Sequence, residues 1–307
     1  MRKFNDIRYL PLRPKRGSLH EKVGTADWVL FVLLFLYGLL IIYPFYNAFL
    51  LSISPKSVID DPNRTFLLYP KGVTWTNYNN VFHESQIWSG LKITLILLFV
   101  GTAYQLFFTV ITGYALSRRK WVGKNFVMNM ILVTMFFGGG LIPYMSLIYN
   151  LNMYNSLAVL IIPGAIDTYN MLLMRNYFAS LPPDLEESAK IDGANDLQIF
   201  YKVYLPMSLP MLATIGLFFA VGNWNSWYNA MLFISDKDLR PLQRVFMQLT
   251  TDATGGNATT YGKEVVDYTR EGPQMAFIFF TILPMLCFYP FLQKFFVKGL
   301  VVGALKG

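Results

Sequence analysis

Residues 182–210 read PPDLEESAKIDGANDLQIFYKVYLPMSLP, a polar island between two long apolar runs. Asp184-Leu185-Glu186-Glu187 has the D-x-x-E form of a capping box and predicts a helix starting at Leu185. Asn195-Asp196-Leu197-Gln198 repeats the device as N-x-x-Q and opens a second helix running to Pro206. Between them, Gly193 can take a positive φ, which costs other residues roughly 1–2 kcal/mol. The expected local structure is helix, sharp corner, helix, with the corner pointing away from a bilayer. Pro206 and Pro210 would fix its exit angle.

The rest of the composition is that of a membrane subunit. Hydrophobic residues make up 54% of the 307, charged ones only 14%, and aromatics 17%, far from a soluble domain. The single cysteine, Cys287, lies in an apolar run and excludes a disulfide framework or a cysteine-based metal site. Residues 1–27 form a basic arm (Arg2, Lys3, Arg8, Arg13, Lys15, Arg16, Lys22) that is too long and too charged for a cleaved signal peptide. Next to a span, such an arm reads as a contact with anionic lipid rather than with nucleic acid. Six apolar stretches follow, near 28–51, 91–116, 125–149, 156–178, 208–233 and 274–293. Each approaches or exceeds the roughly 20 residues needed to cross the hydrocarbon core.

Six spans put both termini on one side, and charge selects it. The arm, the 118–124 and 175–207 loops and the 294–307 tail carry 17 Lys/Arg against 8 Asp/Glu. The opposite side, residues 52–90 and 235–272, carries 8 against 9. The basic excess belongs in the cytoplasm, which places the 182–206 loop inside the cell and the 52–90 and 235–272 loops outside. The expected fold is all-α and integral to the membrane, with a permease domain over 28–293.

The 182–210 stretch resembles the EAA loop of binding-protein-dependent ABC importer permeases. Glu187, Ser188 and Ala189 stand for E-A-A, Gly193 for the glycine, and Val203, Leu205 and Pro206 for the apolar-x-Leu-Pro close; Ser188 is a mild departure. Asp192-Gly193-Ala194 looks like the carbohydrate branch. Three further stretches resemble MalG-like carbohydrate permeases. They are Tyr69-Pro70-Lys71-Gly72-Val73-Thr74 before Asn77-Tyr78, Trp224-Asn225-Ser226-Trp227, and the ending Gln293-Lys294-Phe295-Phe296-Val297-Lys298-Gly299 through Lys306-Gly307.

The resemblance implies the type I importer (MetI-like) fold, a second homologous permease, two cytoplasmic ATPase subunits and an extracellular solute-binding lipoprotein. It also implies an oligosaccharide or polysaccharide fragment as cargo, with the short helix of the loop docked on an ATPase. Glu187 is then expected to satisfy its own helix N-terminus and to meet a basic residue of the ATPase. Ala189 and Gly193 are small enough for close contact there. The 235–272 loop, with Gly255-Gly256-Asn257 and six acids, either reaches toward the binding protein or is an unpartnered acidic loop.

The chain itself lacks the means to hydrolyse ATP. Lys124 and Lys263 follow glycines without a G-x-x-x-x-G-K-[ST] frame, and His20 and His83 are far apart. No cofactor is expected on this chain, and ATP with its magnesium would sit on the separate ATPase. Candidates for the substrate path are Asp167 with Asn170 in span four and Asn223, Asn225 and Trp227 in span five. Amides offer donors and acceptors to sugar hydroxyls, and indole offers a flat apolar face. Read on one continuous helix, Asn223/Trp227, Trp224/Tyr228 and Asn225/Asn229 are i, i+4 pairs. Interfacial anchoring would explain the same residues.

Asp167, after Pro163-Gly164, either lines the path or is a buried hydrogen-bonded brace. Gly138-Gly139-Gly140 and Pro143 predict an irregular segment, by helix packing through glycine or as a gate hinge. The competing class is a stand-alone secondary carrier or channel, which predicts inverted repeats or paired intramembrane charges; only Asp167 is found, without an obvious mate. An integral-membrane enzyme predicts clustered His, Asp or Glu at the membrane surface, and none is visible.

Overall fold

The computed structural model describes residues 24–61, 67–118, 122–251 and 271–304, with the backbone alone at 251 and 288–304. Most of the basic arm, Gly255-Gly256-Asn257 and the last three residues lie outside the described residues. In chain order the helices are α1 (Thr25–Ser52), α2 (Lys56–Ile59), α3 (Thr76–His83), α4 (Ser85–Ile96), α5 (Thr102–Ser117), α6 (Lys124–Phe136), α7 (Leu141–Asn150), α8 (Ala158–Ile161) and α9 (Thr168–Ser180). They continue as α10 (Pro183–Ile191), α11 (Asp196–Ile199), α12 (Leu205–Met207), α13 (Leu209–Trp224), α14 (Tyr228–Phe233), α15 (Leu242–Thr251) and α16 (Glu271–Ala304). No strand occurs among the described residues.

Among the described residues, two rods are long and apolar enough to cross a bilayer: α1, and the continuous helix Ser85–Ser117 that joins α4 and α5. Two bent pairs reach that length only in combination, α6 with α7 at 112° and Asp196–Met207 with α13 at 76°. The α6–α7 break falls at residues 137–140, where Gly140 has φ 86°, so the irregular segment expected there is present. A Cβ on Gly138 or Gly139 would meet nothing within 4 Å, so these glycines do not serve close helix packing within the chain. Span four is likewise interrupted, as Pro163-Gly164 predicts, between α8 and α9.

Three expectations need correction. Span five is not one helix: α13 ends at Trp224 and α14 starts at Tyr228, with Trp227 at φ −134°, ψ −37°. The i, i+4 pairs across that break therefore do not exist. Asn225 explains part of the ending, because its side-chain amide turns back to donate to the Val221 carbonyl at 2.9 Å, the competition with backbone that short amides offer. Second, the 235–272 segment is not simply a loop. Its α15 buries Leu242, Val245 and Leu249 against Ile87 of α4 and Ala276 and Phe277 of α16. The Leu242 N–H also donates to Thr94 Oγ1 at 2.8 Å. Third, the last helix runs on past Gln293 to Ala304.

The 69–78 stretch earns its residues by closing the chain after α1. Asn77 Nδ2 donates to the Ser52 and Ser54 carbonyls at 3.0 and 3.1 Å, and the Thr74 N–H donates to the Ile53 carbonyl at 2.7 Å. Elsewhere small residues set the helix spacing. A Cβ on Gly113 of α5 would lie 3.1 Å from Met174 Cβ of α9 and 3.2 Å from the Arg175 nitrogen. Close approach through glycine is how helices associate where lipid gives no hydrophobic drive.

Two π-helical turns, Leu97–Gly101 and Phe200–Tyr204, interrupt these rods. Such bulges re-aim the side chains that follow them. The second precedes Pro206, which has no N–H and whose ring crowds the carbonyl four residues back.

Candidate functional site

The first candidate is the helix–corner–helix of residues 183–207. Its corner is a Schellman closure: the Gly193 N–H donates to the Lys190 carbonyl at 3.0 Å and the Ala194 N–H to the Ala189 carbonyl at 2.9 Å, with Gly193 at φ 80°. Ala189 and Ala194 thus occupy the two ends of one hydrogen bond, and both pack, half-buried, on the cluster of Phe178, Ile199, Phe200 and Tyr204. The spacing from Ala189 to Gly193 and Ala194 is the spacing this closure needs. The Asn195–Gln198 capping box forms in both directions, at 2.8 and 2.9 Å. The Asp184–Glu187 box does not. Helix α10 starts at Pro183 with Pro182 before it and no side-chain cap, because proline at the first position removes a donor that a cap would otherwise satisfy.

Glu186, not Glu187, is the hub of this elbow. Arg118, at the end of α5, donates to Glu186, and Lys190 Nζ donates to the other carboxylate oxygen at 2.6 Å. The Arg118 guanidinium sits against two rings that also pack edge-on to each other at 5.3 Å, 4.9 Å from the centroid of Tyr114 and 4.7 Å from that of Tyr204. It also donates to both phenol oxygens, at 3.3 and 3.0 Å, and the Tyr204 hydroxyl donates to Glu186 at 3.2 Å. Burial raises the Glu186 pKa, but the Lys190 hydrogen bond and the Arg118 charge outweigh it and hold the carboxyl below its ordinary value. For Arg118, burial lowers the pKa while the phenols and Glu186 raise it, and the net direction is up. The second π turn delivers Tyr204 to this cluster. Glu187, Ser188 and Asp192 are exposed, and Glu187 makes no ion pair among the described residues. Beyond the corner, Ile191 is 86% and Leu197 68% exposed. Leu205 packs on the same cluster as Ala189, and Pro206 follows it at the 76° bend.

The second candidate is a cavity of about 470 Å³ between α5, α8, α9 and α13. Asp167 lines it and caps α9, its Oδ1 accepting the Asn170 N–H at 2.8 Å. Asn170 also lines it, is 7% exposed, and its Oδ1 has no hydrogen-bond partner. Asn223 Nδ2 donates to Thr102 Oγ1 at 3.1 Å and Gln105 Oε1 at 2.9 Å. Gly101 and Gly164 permit this: a Cβ there would lie 3.1 Å from Asn223 Nδ2 and 3.0 Å from Gln105 Nε2.

A model of the family described as "Binding-protein-dependent transport system inner membrane component" matches residues 28–302. The chain belongs to this family. Protein LplC of Bacillus subtilis (strain 168) is 37% identical over 272 residues, covering 88% of this chain and 91% of that one. The polygalacturonan/rhamnogalacturonan transport system permease protein YtcP of the same organism is 34% identical over 283 residues, covering 92% and 98%. The chain is also similar to a chain in the crystal structure of a bacterial ABC transporter involved in the import of the acidic polysaccharide alginate. There the TM-score is 0.80 at 32% identity, covering 89% of this chain and 98% of the other.

In this inner membrane component the expected path residues divide. Asp167, Asn170 and Asn223 meet in the cavity, whereas Asn225 and Trp227 do not line it. Trp227 instead packs edge-on against Tyr228, at 5.6 Å. Asp167 is exposed, caps α9 and lines the cavity. Gln105, Tyr144, Ser226 and Asn229 line the cavity and escaped the sequence reading as a group. Gln105 and Asn229 carried a signal, as amides within otherwise apolar spans, and Asn229 entered only as a partner of Asn225. On the elbow, Arg118 and Tyr204 were missed because their partners lie 68 and 18 residues away.

Proposed function

We propose that this inner membrane component is a permease subunit of an ATP-driven importer, forming with a second homologous permease the path for an oligosaccharide or polysaccharide fragment. Two cytoplasmic ATPase subunits, holding ATP and magnesium, would supply the energy, and an external solute-binding lipoprotein would deliver the cargo. The chain crosses a bacterial plasma membrane six times with both termini inside, an orientation supported by the 17-to-8 basic excess on that side.

One observation carries this reading. The 183–207 elbow is closed at its corner by hydrogen bonds, tied to the end of α5 through Arg118 and Glu186, and joined to α13 through a single 76° bend. A unit so fixed moves as a lever. Displacing its outer end displaces α5 and α13, two walls of the polar cavity. Exposed Ile191 and Leu197 give that end an apolar surface for an ATPase groove. Glu187, Ser188 and Asp192 rim it and would supply the polar contacts, with Glu187 meeting a basic residue. Since Ala189 and Ala194 face the chain's own core, bulk at those positions would distort the lever before it blocked docking.

The test is Gly193→Asp, with transport and ATP turnover assayed together in the assembled complex. Uptake should fall while the ATPase subunits still hydrolyse ATP without responding to loaded binding protein. Normal uptake would remove the coupling role from this corner.

A further inference from the structure

The cavity's charge narrows the cargo, provided that the chain is the oligosaccharide permease proposed above. Among the described residues, its lining includes one carboxylate, Asp167, and no lysine, arginine or histidine. The other polar side chains are neutral: the amides of Gln105, Asn170, Asn223 and Asn229 and the hydroxyls of Tyr144 and Ser226. Arg175, two turns beyond Asp167 on α9, is not among the lining residues, and its guanidinium donates to Asn176.

The neutral groups offer both donors and acceptors, so the carboxylate of Asp167 is what distinguishes one sugar unit from another. Asp167 uses Oδ1 for its cap, and no donor meets Oδ2 among the described residues. Asn170 Oδ1, in a side chain more than nine-tenths buried, has no partner. Asn223 has already committed its Nδ2 donor to Thr102 and Gln105. A ligand hydroxyl or ammonium group can donate to the Asp167 carboxylate. A uronate ring brings a carboxylate that can only accept, and sets a like charge beside Asp167. The volume lies within the roughly 300–1,000 Å³ of small-molecule sites. We infer that the Asp167 cavity admits neutral or amino-bearing sugar units and discriminates against uronate-bearing ones.

Saturation-transfer NMR on the assembled complex in nanodiscs, without binding protein, reads such weak contacts directly. The probes are a neutral galacto-trisaccharide and a galacturonate trisaccharide, compared between the wild type and Asp167→Asn. Asparagine keeps the α9 cap while removing the charge, and Asp167→Ser serves as a second cap-retaining variant. Two like charges about 4 Å apart shift an equilibrium roughly fivefold even in bulk water. The wild type should therefore favour the neutral probe by about fivefold or more, and both variants should bring the ratio toward one. A wild-type ratio at or below one, or a ratio that neither variant moves, overturns the inference while leaving the permease reading intact. If neither sugar gives a signal and neither stimulates ATP turnover when binding protein is added, the oligosaccharide reading falls and this inference falls with it.

Discussion

Replacing Arg118 with methionine keeps an apolar stem against the Tyr114 and Tyr204 rings and removes the guanidinium that ties the elbow to α5. The magnitude follows from the geometry. The Arg118 and Glu186 side chains are only 26% and 21% exposed, and a hydrogen bond to a charged group in such a setting is worth about 1.5–3 kcal/mol. Stacking on two rings adds about 0.5–1 kcal/mol for each exposed cation–π contact. Lys190 also reaches Glu186, but its side chain is 53% exposed, so solvent and salt screen that pair. In a double-mutant cycle, Arg118→Met with Glu186→Gln should couple by about 1.5 kcal/mol, whereas Lys190→Met with Glu186→Gln should couple far less. Hydrogen–deuterium exchange over α10 reads the result locally, because about 1.4 kcal/mol of lost protection speeds exchange tenfold. Unchanged α10 exchange in Arg118→Met, or a Lys190 coupling equal to that of Arg118, would refute the assignment of Arg118 as the tie.

Glu186 has a lowered pKa in the folded state, so its stabilisation is present above the unfolded carboxylate value of about 4.3 and is lost as pH falls through the folded value. Relative to Glu186→Gln, α10 protection in the wild type should hold steady above about pH 5 and drop in more acid solution. Gly193→Ala should destabilise the elbow by roughly 1–2 kcal/mol, through its φ of 80° alone, since a Cβ there meets nothing within 4 Å; thermal unfolding of the purified protein checks this. Gly193→Asn should cost less, asparagine being at ease in that region. Gly113→Leu should disrupt the α5–α9 contact, where even a Cβ lies 3.1 Å from Met174, and the readout is loss of monodisperse protein on extraction. Asn223→Ala should leave Thr102 and Gln105 without their shared donor, at about 1–3 kcal/mol, again by thermal unfolding.

What the sequence disclosed was whatever depends on neighbours in the chain. The Gly193 corner, the Asn195–Gln198 cap, the break at Pro163-Gly164 and the irregular stretch at Gly138–Gly140 are set by φ preference, side-chain reach and missing N–H groups within a few residues. The failures share the opposite cause. Asp184-x-x-Glu187 has the right letters for a cap, yet Pro183 had already started the helix. Asn225 ended α13 by bonding its own Val221 carbonyl, so residues counted as one helical face fell on two elements. The π turns at Leu97–Gly101 and Phe200–Tyr204 shift register without any composition that announces it, and each aims a residue (Gln105, Tyr204) at a distant partner. Half of the cavity was legible because an isolated carboxylate and amides in apolar runs stand out. The Arg118–Glu186 tie was not, because 68 residues separate two charges that each look like ordinary loop surface.

The central claim is that the corner at Gly193 faces the cytosol and is gripped there by an ATPase. A single probe tests it: Leu197→Cys in a Cys287→Ser background, Cys287 being the only native cysteine. Whole cells or right-side-out vesicles expressing the assembled transporter are treated with a membrane-impermeant thiol reagent, and then permeabilised and treated with a bifunctional crosslinker. The account predicts no labelling before permeabilisation and a crosslink to the ATPase subunit afterwards, weakened by Gly193→Asp. Labelling of Leu197→Cys from outside intact cells would contradict it.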